Sequence, residues 1–153
     1  MQKIRPCLWF DDQALEAAEF YVSVFGGDSR IVDITYWNEG SPKAGSVLTV
    51  DFVLAGQEYL GLTGGPEFTF SEAVSLSVDC ADQQEVDTLW AKLTEGGEES
   101  MCGWLKDRYG LSWQIVPRAL PELLGDPDRA RADRVMKAMM GMRKLDVQAL
   151  RDA

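Results

Sequence analysis

The sequence contains no histidine, so it lacks the side chain that most often moves protons near neutral pH and most often holds transition metals. It also lacks any stretch approaching the roughly 18 consecutive apolar residues of a membrane span, which argues against a membrane partner. The opening Met1-Gln2-Lys3-Ile4-Arg5-Pro6 has no apolar core of the secretory kind, and a cytoplasmic location is the expectation. Cysteine is scarce: Cys7, Cys80 and Cys102 are an odd number without metal-type spacing and read as reduced thiols packed like small apolar residues. Positive charge is short as well. Lys and Arg total 15 against 25 Asp and Glu, a formal net charge of −10, and such a field repels phosphate backbones, so nucleic acid is not expected as a partner.

What is present suits an ordinary globular protein. With 153 residues, 46% hydrophobic and 26% charged, the chain is long enough for one compact domain over 1–153 and too short for several. Cys7-Leu8-Trp9-Phe10 reads as a buried strand. Ala14, Ala17, Ala18, Tyr21, Val24 and Phe25 then fall on one helical face, with Asp12 placed to cap the start and Gly26-Gly27 to end it.

The same order returns further along. Val74 to Val78 alternates like a strand, Asp82 with Glu85 forms a capping box, Val86, Leu89, Trp90 and Leu93 make an apolar helix face, and Gly96-Gly97 closes it. Phe10 and Val78, at equivalent strand ends, lie 68 positions apart, so each copy is smaller than a normal domain and neither half is expected to be stable alone. Strands Ile31 to Tyr36, Leu48 to Leu54 and Glu58 to Leu62 complete the first copy, which Gly64-Gly65-Pro66 closes. A short, poorly defined strand after Gly97, then Met101 to Leu105 and Leu111 to Val116, completes the second. The fold class is α+β: tandem βαβββ modules, module 1 about 1–66 and module 2 about 67–117, followed by a helical tail, 118–153. In the tail a short turn spans Pro121 to Leu124, a helix starts at Asp126-Pro127 with Val135, Met136, Met139 and Met140 on one side, and Lys144 to Asp152 adds another segment. The methionine face reads most simply as packing; the tail is expected to cover an open sheet edge or a dimer seam.

Two βαβββ units in tandem, with Asp11-x-Gln13-Ala14-x-Glu16-Ala17-Ala18-x-Phe20-Tyr21 opening the first helix, resemble the vicinal oxygen chelate superfamily of glyoxalases, extradiol dioxygenases and bleomycin-binding proteins. Leu8-Trp9-Phe10-Asp11, Phe20-Tyr21-x-Ser23-x-Phe25, Leu62-x-Gly64-Gly65-Pro66-x-Phe68 and Cys102-Gly103-Trp104-Leu105-x-Asp107-x-x-Gly110-x-Ser112-Trp113-Gln114 are similar to the PhnB-like family within it, often labelled 3-demethylubiquinone-9 3-methyltransferase. The resemblance implies curled mixed sheets around a cleft and a homodimer. It does not bring a methyltransferase signature with it: the sequence shows no strand running through a glycine-rich turn into a helix N-terminus, where a nucleotide-like cofactor is held, and Gly64-Gly65-Pro66 reads as a connector.

In metal-dependent members of the superfamily the ligands come from the first and last strands of each module. The matching places here are Arg5 or Pro6, Gly61, Ala73 and Gln114, which offer no imidazole, thiolate or carboxylate. Asp11, Asp12, Asp51, Asp79 and Asp82 read as caps, strand ends or solvent-facing positions. No metal and no cofactor are therefore expected.

Trp9, Trp104 and Trp113 come from strands or turns near the implied cleft and read equally as core or as ligand wall, whereas Trp90 sits on a helix core stripe. Arg5, Glu58, Tyr59 and Gln114 are placed at the rim. The expected ligand-binding set is Arg5, Cys7, Trp9, Glu58, Trp104, Trp113 and Gln114, with Gln114 and Cys102 the candidates for chemistry. Cys102 needs a base or cation to act as a nucleophile; only Arg5, Lys106 or Arg108 could help, and a packed structural cysteine is the simpler reading. No triad or carboxylate dyad is recognisable. The leading expectation is a homodimer whose aromatic cleft takes a small planar or cyclic molecule without a metal. Alternatives are an enzyme acting on a small quinone-like substrate, and an interaction protein that uses the helical tail. The sequence leaves catalysis undecided.

Overall fold

The computed structural model describes residues 1–153, and the chain divides into two compact units, Met1–Thr69 and Phe70–Ala153. The first unit runs β1 (Cys7–Phe10), α1 (Ala14–Phe25), β2 (Arg30–Tyr36), β3 (Val47–Leu54) and β4 (Gln57–Thr63). Its sheet has the order β1-β4-β3-β2, with β1 parallel to β4 and the other neighbours antiparallel. Helix α1 forms because Ala14, Ala17, Ala18, Tyr21 and Val24 recur on one face, and all are buried. That face packs on β2, β3 and β4. Tyr21, Phe52 and Tyr59 form a run of rings beneath it, Phe52 and Tyr59 stacked at 5.4 Å. Tyr59, expected at a rim, is thus a buried ring on the helix side. Asp12 does not cap the helix either: Gln13 is the N-cap, and no side chain bonds there. At the other end Gly26 and Gly27 both have φ above +50°, and the Gly26 N–H closes the last turn on the Val22 carbonyl.

The second unit repeats this plan with β5 (Ser75–Cys80), α2 (Gln83–Thr94), β6 (Glu98–Glu99), β7 (Trp104–Lys106) and β8 (Ser112–Pro117). The order β5-β8-β7-β6, again with the first strand parallel to the last, is the first sheet's order renumbered. The tandem α+β reading of the sequence is borne out by this identity of topology. Asp82 Oδ1 accepts the Glu85 N–H at 2.9 Å, while the Glu85 carboxylate reaches the Ala81 N–H, one residue earlier than an ideal capping box would have it. The expected strand from Met101 begins only at Trp104, because Cys102 and Gly103 both have positive φ and turn the chain.

The tail belongs to the second unit and forms α3 (Ala119–Leu124), α4 (Arg129–Met140) and α5 (Val147–Arg151). Helix α4 starts after Asp128, whose carboxylate accepts the Ala130 and Arg131 N–H groups, and not at Asp126-Pro127. Leu120, Val135, Leu145 and Leu150 make a small core of their own, against which Val116 and Met139 pack. Met136 and Met140 remain exposed. The segment before α5 is tied to the sheet by Cys102 and Gly103, whose N–H groups donate to the Met142 and Arg143 carbonyls. It is tied to α2 by Gln83, which bonds both Leu145 and Val147. No helix is long and apolar enough to cross a membrane.

Candidate functional site

Each sheet turns one face to its own helix, and strand alternation sends the remaining side chains to the far face. In the first unit, pairing Cys7 with Leu60, Trp9 with Leu62, Thr49 with Leu62 and Asp51 with Leu60 puts these residues on the far face together with Glu58. Four residues of the expected ligand-binding set, Arg5, Cys7, Trp9 and Glu58, therefore share one unit. Arg5 pairs with Asp51 at 3.4 Å, and Glu58 accepts the Gln2 N–H at 2.7 Å. Cys7 is exposed where a buried strand position was expected, because β1 is an edge strand; even so, partial burial of its sulfur pushes the thiol up, against the opposing pull of Arg5. The recess between Arg5, Asp51 and Glu58 measures about 90 Å³.

Trp9 is held on three sides. Its indole N–H donates to the Gly65 carbonyl at 2.9 Å, and Phe68 meets it edge-on at 4.9 Å. A Cβ on Gly64 would lie 2.3 Å from the ring, so only glycine lets the ring approach the backbone so closely. The Leu62-x-Gly64-Gly65-Pro66-x-Phe68 stretch is thus the seat of Trp9, and no helix follows it.

In the second unit the pairs Trp104 with Gln114 and Lys106 with Ser112 in one ladder, and Ser75 with Ser112 in the other, place all five on the far face. Gln114 donates to Ser75 Oγ at 2.9 Å. Lys106 is bonded to Glu72; this hydrogen bond, followed by charge attraction, holds the Lys106 ammonium above its ordinary pKa, and the same bond pulls the Glu72 carboxyl down. Lys106, Trp104, Glu72, Glu98 and Ser112 border a recess of about 150 Å³. Ser112 is 0% exposed and its hydroxyl has no hydrogen-bond partner, a costly state for a buried polar group unless something else satisfies it. Sequence reasoning passed over Ser112, Glu72 and Glu98. The signal for Ser112 was its alternation with Trp113, but that could be used only once Trp113 was known to face the helix.

Of its two readings, core and ligand wall, Trp113 takes the first and does not join the far-face residues of the expected binding set: it is 2% exposed and faces the helix side with Leu105 and Ile115. Its N–H donates to Asp107 Oδ2 at 2.8 Å, and Asp107 Oδ1 accepts the Tyr109 and Leu111 N–H groups. The polar turn of the motif is thus built around one buried carboxylate. Cys102 lies on the turn before β7, its sulfur 3.8 Å from that of Met140 and not beside a base. Burial, reinforced by Glu85 and Asp79, pushes the Cys80 thiol up to about 12.

The strand positions matched to metal ligands need one adjustment. Gly61 points toward Phe52 and Ala14 on the helix side, so its far-face neighbours are Leu60 and Leu62, which are no better as donors. No group of three or more Cys, Asp and Glu side chains is placed to hold a metal ion. The residues present do not fit the metal chemistry of the superfamily. A roomier recess, about 370 Å³, lies between the start of α2, α3 and α5. Its polar side chains have structural tasks: Asp82 and Asp146 cap helices, Arg118 pairs with Asp79 at 2.9 Å, and Gln83 bridges to the tail. Volume alone would favour it, but it contains no buried group left unsatisfied.

Comparison with known proteins adds the following. The family described as 3-demethylubiquinone-9 3-methyltransferase matches residues 2–116. Among solved structures, the PhnB protein from Bacillus cereus, which carries the same methyltransferase label, is 39% identical; the match covers 76% of this chain and 99% of that one with a TM-score of 0.70. Protein PA1353 from Pseudomonas aeruginosa is 20% identical over 76% of this chain and 98% of its own, TM-score 0.66. The fosfomycin resistance protein FosX from Listeria monocytogenes is 15% identical over 82% and 98%, TM-score 0.60; these last two are alike in fold. No curated protein matches the chain.

Proposed function

The chain belongs to the 3-demethylubiquinone-9 3-methyltransferase family, the PhnB-like branch of the glyoxalase fold, and on that premise we propose that it binds a small planar or cyclic molecule, without a metal, on the far face of its second sheet. The observation that carries this is the Ser112 hydroxyl, fully buried and unpartnered in the wall of a 150 Å³ recess beside Trp104. A ring seated there would give that hydroxyl a partner and Trp104 a flat neighbour. The recess in the first unit is smaller, about 90 Å³, and its Arg5, Asp51 and Glu58 already have partners. Trp9 and Glu58 are therefore assigned a supporting role.

Methyl transfer is not part of this reading. The space over Gly64 is filled by the Trp9 ring, and β1 and β5 enter their helices through Asp11-Asp12-Gln13 and Ala81-Asp82, without a glycine-rich turn. A native mass spectrum of the protein as purified tests the reading. A metal-free homodimer carrying an organic mass that Trp104→Ala or Ser112→Ala removes, with the fold intact, is the expected result. One tightly held metal per subunit, or an organic mass that both variants retain, would overturn it.

A further inference from the structure

The recess on the second sheet also restricts the charge of its occupant. Its size comes first: a cavity of about 150 Å³ is what takes up one benzene ring, and the recess matches that volume, so a single ring fits in it. Three carboxylates, Glu72, Glu98 and Glu99, and one ammonium border it. Lys106 is bound to Glu72; Glu98, opposite Lys106 across the β6–β7 ladder, feels its charge but makes no close ion pair with it. Glu99, which also lines the recess, is already engaged: it accepts the Trp90 indole N–H at 2.7 Å and lies 3.7 Å from Arg143. The charge left over in the recess is therefore negative, next to an indole.

Resting on the proposed use of this recess, we infer that its ligand is a single-ring organic cation, held by Glu98 and the Trp104 ring with a polar group on Ser112. An anionic ring would meet Glu98 and Glu72 at close range, and a neutral ring would leave the Glu98 charge unused. A ring bearing an ammonium gains both the carboxylate and the indole face. The Ser112 hydroxyl, which can donate or accept, discriminates among such cations by where they carry a second polar atom. Lys106 serves as a fixed counter-charge to Glu72: its raised pKa keeps it protonated and unavailable as a base.

Three ring compounds of equal size and different charge test this on the intact protein by titration calorimetry: benzylammonium, benzyl alcohol and benzoate. Benzylammonium is expected to bind about tenfold tighter than benzyl alcohol, the range open to a cation over an indole, with benzoate weakest. Glu98→Gln, an exposed substitution that leaves the core alone, is expected to bring the first two to within about threefold of each other. Equal binding of alcohol and ammonium by the unaltered protein, or preference for benzoate, would overturn the cation while leaving the ring site standing. Absence of binding by all three, with Trp104 fluorescence unmoved, would remove the site itself and the cation with it.

Discussion

Replacing Asp107 by alanine removes the acceptor at the centre of the last hairpin. The carboxylate is 2% exposed and takes three N–H groups: the Trp113 indole at 2.8 Å, the Tyr109 amide at 2.8 Å and the Leu111 amide at 3.1 Å. Of these donors, Trp113 and Leu111 are themselves buried and no water can reach them without disrupting the turn. Leaving a buried donor unpaired costs about 1 to 3 kcal/mol each, so two of them plus the looser Tyr109 bond give a loss of about 4 kcal/mol. For a chain of this length each kcal/mol moves the midpoint by about 2 to 4 °C, hence a fall in Tm of roughly 10 °C. Urea unfolding followed by far-ultraviolet circular dichroism measures it without relying on tryptophan emission, and the m value should not change. A second variant makes the cause visible. Trp113→Phe keeps most of the ring and deletes its donor, so it should cost about 2 kcal/mol less in the Asp107→Ala background than in the unaltered protein. A loss below about 1 kcal/mol for Asp107→Ala, or the same cost of Trp113→Phe in both backgrounds, would refute the claim that this carboxylate organises the hairpin carrying Trp104, Lys106 and Ser112.

Gly64→Ala should destabilise by about 2 kcal/mol through overpacking and shift Trp9 emission, because the new methyl would meet the ring at 2.3 Å; an unchanged spectrum and stability would contradict the seat described for Trp9. In native protein at pH 8 a thiol reagent should modify Cys7 and leave Cys80 untouched until the chain is unfolded, since Cys80 is 0% exposed with its thiol pushed up to about 12. The same shift has a stability sign. Folded protein keeps a proton that the unfolded chain gives up near its ordinary value, so the contribution is complete below about pH 9 and is lost as the pH climbs toward 12. Cys80→Ala should flatten that alkaline slope, which unfolding midpoints taken across the range would reveal.

Local chemistry made the elements legible. Ala14 to Val24 and Val86 to Leu93 could bury apolar area only as helices, and paired glycines could end the first of them because the required φ is positive; alternation in Val47 to Leu54 left little choice but a strand. The repeat of strand, helix and three strands was visible because each copy must solve the same burial problem, and the shared strand order shows that both did. Trp113 and Ser112 mark the point where this ceased to help. They are neighbours in the chain, each capable of facing either side, and alternation states only that they face opposite ones. Register decided which: Trp113 opposite Leu105 beneath α2, Ser112 opposite Lys106 on the far face. The Trp9 seat, the Glu72–Lys106 bond and the buried Asp107 likewise depend on atoms brought together by turns whose geometry a composition does not contain. Sequence by itself determined the secondary structure, the tandem architecture and the absence of any imidazole, because these follow from side-chain type and period. Only the tertiary structure decided which tryptophan lies on the far face and which is core, and that the Ser112 hydroxyl is buried without a partner, because burial and pairing are properties of neighbours in space.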